Sequence, residues 1–202
     1  MKLFAHPFSS YCQKVLTALY ENDTPFEFHL LDFAAPATLT EFATRWPLQR
    51  MPVLVDGGRT IIESSVIIEH LDLAHPGRTR FVPDDRRDAL EVRRMDRCFD
   101  NYVMAPMMRI VFDHLRPATN RDAQGVGEAR ALLYTAYDWL DRELAGRDWA
   151  AGARVAPISV VRTAGVVRSS RATLEAGTRS WPLERRRLRS LVLPRLASEL
   201  KS

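Results

Sequence analysis

The chain has 202 residues, 46% hydrophobic and 27% charged, the composition of an ordinary soluble protein with one large domain or two small ones. Its formal charge of +4 hints at an acidic partner such as nucleic acid. Yet residues 1–152 hold 18 Lys and Arg against 22 Asp and Glu, and residues 153–202 hold 11 against 3, so the whole positive excess lies in the last fifty residues. No run of about eighteen apolar residues exists to span a membrane, and the opening Met1-Lys2-Leu3-Phe4-Ala5-His6-Pro7 is too quickly broken to predict a signal peptide. Two cysteines, Cys12 and Cys98, form neither a disulfide framework nor a four-ligand zinc site. They are read as free thiols in a cytoplasmic protein, and no metal site is assigned.

In chain order, Met1 to Phe4 predicts a short strand and Cys12 to Tyr20 a helix, with Val15, Leu16 and Leu19 as its apolar face. Ser10 with Gln13 three residues later reads as a capping box. A strand is predicted over Glu27 to Leu31 and a short helix over Thr38 to Thr44. Strands Val53 to Val55 and Thr60 to Ile61 are joined by the hairpin signal Asp56-Gly57-Gly58, and a helix capped by Ser64 runs to about Asp72. His75-Pro76-Gly77 ends that helix. The order is βαβ followed by ββα in under eighty residues.

From Asp84 the pattern turns helical. Leu90, Met95, Phe99, Tyr102 and Val103 recur to about Leu115, with a kink expected near Tyr102 to Val103 because of Pro106. A second amphipathic helix, about Gly127 to Leu144, carries Ala131, Leu132, Tyr134, Ala136, Trp139 and Leu140. The division is therefore an α/β domain over 1–78, an all-helical domain over 84–152, and a tail over 153–202.

Four features of the first domain point to one ligand. Ser9 and Ser10 sit where a strand gives way to a helix, and unpaired N–H groups with the helix dipole favour an anion there, a thiolate included. A hydroxyl donating a hydrogen bond at that point holds a bound thiol in its reactive form. Met51-Pro52-Val53 places a proline at a strand start, where a cis peptide can turn backbone groups toward a peptide ligand. Glu63-Ser64, at another helix start, offers a carboxylate for an ammonium group and a hydroxyl with N–H groups for a carboxylate. Singly, these are helix caps, an ordinary trans X-Pro and a solvated acid. Their order and spacing join them.

His6-Pro7-Phe8-Ser9-Ser10-Tyr11-Cys12-Gln13-Lys14-Val15, Trp46-Pro47-Leu48-Gln49-Arg50-Met51-Pro52-Val53-Leu54 and Glu63-Ser64-Ser65 followed by Ile67-Ile68-Glu69 resemble the glutathione S-transferase family, near its bacterial serine-type members and the zeta, theta and tau groups. The resemblance covers residues 1–152. It implies a thioredoxin-like α/β N-terminal domain followed by an all-α C-terminal domain, with Ser9 bonding the glutathione sulfur and Ser10 as the next candidate. It further implies that Met51, before a cis Pro52, exchanges backbone hydrogen bonds with the cysteinyl unit, that Glu63 and Ser64 hold the γ-glutamyl end, and that Arg50 assists. The implied activity is a glutathione transferase, usually homodimeric, that takes glutathione as co-substrate and a small electrophile as second substrate. The alternatives are a non-catalytic glutathione-binding or interaction module of the same fold, or an inactive truncated or frameshifted product.

Cys12 leaves a Ser-x-x-Cys pattern with one thiol, so dithiol exchange is not expected; it reads as a half-buried helix residue, with monothiol chemistry as the alternative. Tyr102, Met104, Met107, Met108, Ile110, Val111 and His114 read either as a wall for an apolar electrophile or as core and dimer contact, and none is assigned to the site.

After Gly152 the family's Ser-x-Ala-Asp helix cap is replaced by Ala153-Arg154-Val155-Ala156-Pro157-Ile158-Ser159-Val160-Val161-Arg162-Thr163-Ala164. Beyond Gly152 ten arginines recur without an amphipathic period, and Trp181 is the one aromatic residue. The helical domain is expected to be incomplete, and the tail reads as out-of-frame translation of a GC-rich gene, which the coding DNA tests. Because no aromatics interleave its arginines, a nucleic-acid or membrane partner is not expected.

Overall fold

The computed structural model describes residues 1–33, 37–147, 150 and 151; the expectations for the tail lie outside the described residues. These residues fall into two compact units, one comprising Met1–Val82 and the other beginning at Pro83.

The first unit contains β1 (Lys2–Ala5), α1 (Ser10–Glu21), β2 (Glu27–Leu30), α2 (Ala37–Arg45), β3 (Val53–Asp56), β4 (Arg59–Ile62) and α3 (Ser64–Ala74). The sheet order is β2-β1-β3-β4, with β1 parallel to β2 and antiparallel to β3, and β3 antiparallel to β4. Parallel pairing of β1 and β2 requires a crossover, which α1 supplies. The thioredoxin-like fold follows from this order.

Each element has a local cause. Val15, Leu16 and Leu19 are fully buried along α1, as their helical spacing requires, and Cys12 and Ala18 complete the stripe. Phe4, Leu31, Phe42 and Val53 form a core cluster against which Leu39, Trp46, Met51, Val55 and Ile62 pack. Burial of each large side chain of this kind stabilises the fold by roughly 1.5–3 kcal/mol. Gly57 (φ 52°) and Gly58 (φ 82°) both take positive φ between β3 and β4, which a tight hairpin turn demands and side-chain-bearing residues resist.

Two helix starts differ from the expected ones. The cap of α1 is Ser9, not Ser10: the Ser9 backbone is extended and its Oγ accepts from Cys12 N at 3.4 Å. The expected Ser10 and Gln13 capping box is absent because Ser10 is already helical, and Gln13 Nε2 donates instead to Pro7 O at 2.6 Å. Similarly, Glu63 occupies the cap position of α3 and Ser64 is its first helical residue. α3 continues to Ala74, and His75 closes it by donating its N–H to Leu71 O.

The second unit contains α4 (Arg86–Phe99), a π-helical segment (Asp100–Met104), α5 (Ala105–Leu115) and α6 (Ala123–Glu143). The π-helical segment falls where a kink was expected. Pro106 has no N–H to donate one turn back, and the Ala105 N–H reaches Asp100 O instead. Val92, Met95 and Phe99 of α4 pack with Leu133, Tyr137 and Leu140 of α6, and Leu144, Ala150 and Ala151 join them. The buried face of α6 therefore departs from the expected one. Ala129, Leu133, Ala136, Tyr137 and Leu140 turn inward, while Ala131 and Leu132 are exposed. Leu90 and Tyr102 are likewise exposed, and the inner stripe of α4 is Ala89, Val92, Met95 and Phe99. Val103, Met107 and Ile110 pack on the second unit's own core.

Candidate functional site

The strand register gathers the candidate residues of the first unit. Phe4 lies opposite Val53, and Val53 lies opposite Ile62, so three strand ends stand side by side at one edge of the sheet. Beyond Ala5 the chain turns, with Ser9 N bonded to His6 O at 3.0 Å, and enters α1 at Ser9. Immediately before Val53 stands Met51-Pro52, whose peptide bond is cis. Immediately after Ile62 stand Glu63 and Ser64, opening α3. Neighbouring strands lie about 4.8 Å apart, so the row spans roughly the length of a short peptide.

Both helices of this unit that open at the row present unpaired N–H groups and a partial positive charge. At α1, Ser9 is partly exposed; its oxygen accepts from Cys12 N–H, and its one hydroxyl proton can turn either to the Cys12 sulfur or to a bound ligand. The Ser10 oxygen is buried and has no hydrogen-bond partner among the described residues. At α3, Glu63 holds φ 66° and ψ 118°, a conformation that is costly for a residue with a side chain. Glu63 is exposed, Ser64 is buried, and the first N–H bonded within the helix is that of Ile67, to Glu63 O at 2.9 Å. Arg50 is exposed beside Met51.

Burial pushes the Cys12 thiol up to about 11, against the opposing effects of hydrogen bonds from the Ser9 side chain and the His6 backbone. At 0% exposure Cys12 is a core residue, and a group so protonated is a poor nucleophile.

Lys14, in the motif around Ser9, has no role legible in the sequence. Lys14 is 6% exposed, and its Nζ donates to Ser65 Oγ at 2.8 Å, tying the first turns of α1 and α3 together. A lysine five residues after a helix cap looks like a solvated side chain; only the packing of α1 on α3 makes it a tie.

The fold and this row define a thioredoxin-like α/β domain that precedes a separate helical unit. Residues 3–79 match the family model described as the N-terminal domain of glutathione S-transferase. Over 74 residues the chain is 34% identical to dichloromethane dehalogenase of Methylorubrum extorquens, and over 163 residues 28% identical to glutathione S-transferase U7 of Arabidopsis thaliana. Those alignments span 36% and 80% of this chain but only 26% and 65% of the two relatives. Among solved structures, a glutathione S-transferase of Methylobacillus flagellatus with glutathione bound superposes with a TM-score of 0.74 at 24% identity, over 86% of each chain. One of Methylobacterium radiotolerans, in complex with glutathione sulfonate, gives 0.68 at 28% identity, over 100% of this chain and 90% of that one.

Proposed function

We propose that the chain is a glutathione transferase that holds the glutathione thiol as thiolate and directs it at a small electrophile. The observation that carries the reading is the row of three strand ends, which sets Ser9, Met51-Pro52 and Glu63-Ser64 along one edge of the sheet. The Met51 backbone pairs with the cysteinyl unit, the α3 start and Ser64 hydroxyl receive the γ-glutamyl carboxylate, the Glu63 carboxylate takes its ammonium group, and Arg50 assists. This leaves the sulfur toward the α1 start. There the Ser9 hydroxyl donates to sulfur, and the helix dipole adds roughly half a positive charge, both favouring the thiolate. The thiol proton passes to solvent, the sulfur forms a bond to the electrophilic carbon, and the leaving group departs with the electron pair. No covalent enzyme intermediate is needed. Ser9 is preferred over Ser10 because the Ser10 oxygen is buried. The same family resemblance supports action as a cytoplasmic homodimer; no helix among the described residues is long and apolar enough to cross a membrane.

Turnover of an aryl halide with glutathione tests the proposal. Ser9→Ala should lower kcat/KM about a hundredfold, the scale of losing one donor to a developing or stabilised anion, and should move the rising limb of the pH profile upward. Retention on immobilised glutathione without any turnover by the parent chain would instead identify a binding module.

A further inference from the structure

The other end of the same sheet carries a second cluster of side chains that the transferase reading leaves unused. Asp56 is the last residue of β3, and its Oδ2 lies 2.9 Å from His70 Nε2 and 2.7 Å from His75 Nε2. One oxygen and two imidazole nitrogens thus converge, all within 4.8 Å of one another. His70 and His75 are five residues apart, a spacing that would point them to different faces of a continuous helix. They meet because α3 ends at Ala74 and His75, at φ −134° and ψ 56°, leaves the helical path. α3 is eleven residues long, so its Ala74 end lies about 15 Å, and His70 about 9 Å, along the axis from Ser64.

We propose that Asp56, His70 and His75 form a binding site for a divalent first-row transition metal ion, with Zn²⁺ as the best fit. Two imidazole nitrogens and one carboxylate oxygen are a borderline-soft donor set of the kind zinc accepts, and a water completes four-coordination. Tetrahedral ligands at about 2.0–2.1 Å from zinc stand about 3.3 Å apart, so the oxygen retreats about half an ångström from each nitrogen, and the two nitrogens, which lie within 4.8 Å of each other, settle to that spacing by side-chain rotation. Side-chain exposures of 20%, 17% and 35% for Asp56, His70 and His75 leave room for entry and for the water. Both nitrogens are Nε2. When each ring donates to Asp56 its proton sits on Nε2; when Nε2 binds metal, the neutral ring carries the proton on Nδ1, so each ring needs only a tautomer change. The last turn of α3 adds roughly half a negative charge, which favours a cation at this end. The bound ion would clasp the β3–β4 hairpin to the end of α3.

The test is calorimetric titration of the full chain, free of any histidine tag, with Zn²⁺ alone, glutathione being left out because it chelates zinc. One Zn²⁺ per chain is expected, with affinity falling about tenfold or more in His75→Ala and in Asp56→Asn and unchanged in His114→Ala. Co²⁺ added to the unaltered chain should give the intense visible absorption of a four-coordinate site, displaced by Zn²⁺; this readout depends on no variant folding. Absence of stoichiometric Zn²⁺ binding, an affinity indifferent to His75→Ala and Asp56→Asn, or only the weak absorption of six-coordinate Co²⁺ overturns the proposal. None of these outcomes bears on the Ser9 reading, which is measured by turnover.

Discussion

The two ends of the first unit's sheet are built from different materials. At one end, the starts of α1 and α3 offer backbone N–H groups, hydroxyls and positive helix poles. At the other, lone pairs from Asp56, His70 and His75 gather near the negative pole of α3. One helix therefore serves two opposite charges. The lesson is that helix direction, once fixed by sheet topology, decides which end of a small domain suits an anion and which a cation.

Substitutions at three positions probe that contrast, taken from the largest expected effect. Asp72, 2% exposed in the last turn of α3, accepts from Phe81 N at 3.0 Å and Val82 N at 3.1 Å. It is a carboxylate at the unfavourable pole, kept there by two backbone donors and by Arg80, whose Nε lies 3.7 Å from Asp72 Oδ2. Asp72→Ala should destabilise the protein by about 2–4 kcal/mol in urea titration because both donors lose their partner, and Asp72→Asn by less. A stability unchanged by Asp72→Ala would show that the negative pole, and not the hydrogen bonds, dominates at that end.

Next comes the tie at the positive end. Lys14→Met removes the Lys14–Ser65 hydrogen bond. If α1 and α3 must be held in register to grip one ligand, KM for glutathione should rise roughly tenfold while kcat changes far less. A loss confined to kcat would place Lys14 with the chemistry instead.

The smallest expected effect concerns Cys12. Its thiol, buried and pushed up to about 11 from an ordinary 9.0, should resist a thiol-specific reagent at pH 8 in the folded chain and react after unfolding, and Cys12→Ala should retain turnover. The sign of its pH dependence is fixed. As pH rises from about 9 toward 11, the unfolded chain loses this proton and the folded chain keeps it, so the unfolded state binds fewer protons and stability falls. Below about 9 both states hold the proton and the contribution is intact. Cys12→Ala should therefore flatten the alkaline side of the stability profile, and an unchanged profile would mean that the thiol is not desolvated.

Much of the candidate site is legible in the chain because backbone chemistry is written locally. Ser9-Ser10 after a strand, a proline before Val53 and Glu63-Ser64 before an apolar periodic run each announce a terminus. Which of two adjacent serines caps α1 is not legible, since either is a good cap. The choice falls on Ser9 through the turn closed by its N–H on His6 O. The inner face of α6 is not legible because apolar residues lie on both of its sides, and only packing against α4 selects Leu133, Tyr137 and Leu140.

By itself, then, the sequence determined the element order and the three local motifs that meet at the sheet edge, because helix caps, hairpin glycines and core periodicity act over a few residues; the thioredoxin-like class was what the family resemblance implied. The tertiary structure decided what those motifs meet and what else converges. Asp56 reads as a turn residue and His75 as a helix stop, fourteen and five residues from His70, and no spacing rule joins them. They come together only because β3 and α3 pack with their far ends adjacent, a contact set by the topology of the sheet and not by any stretch of neighbouring residues.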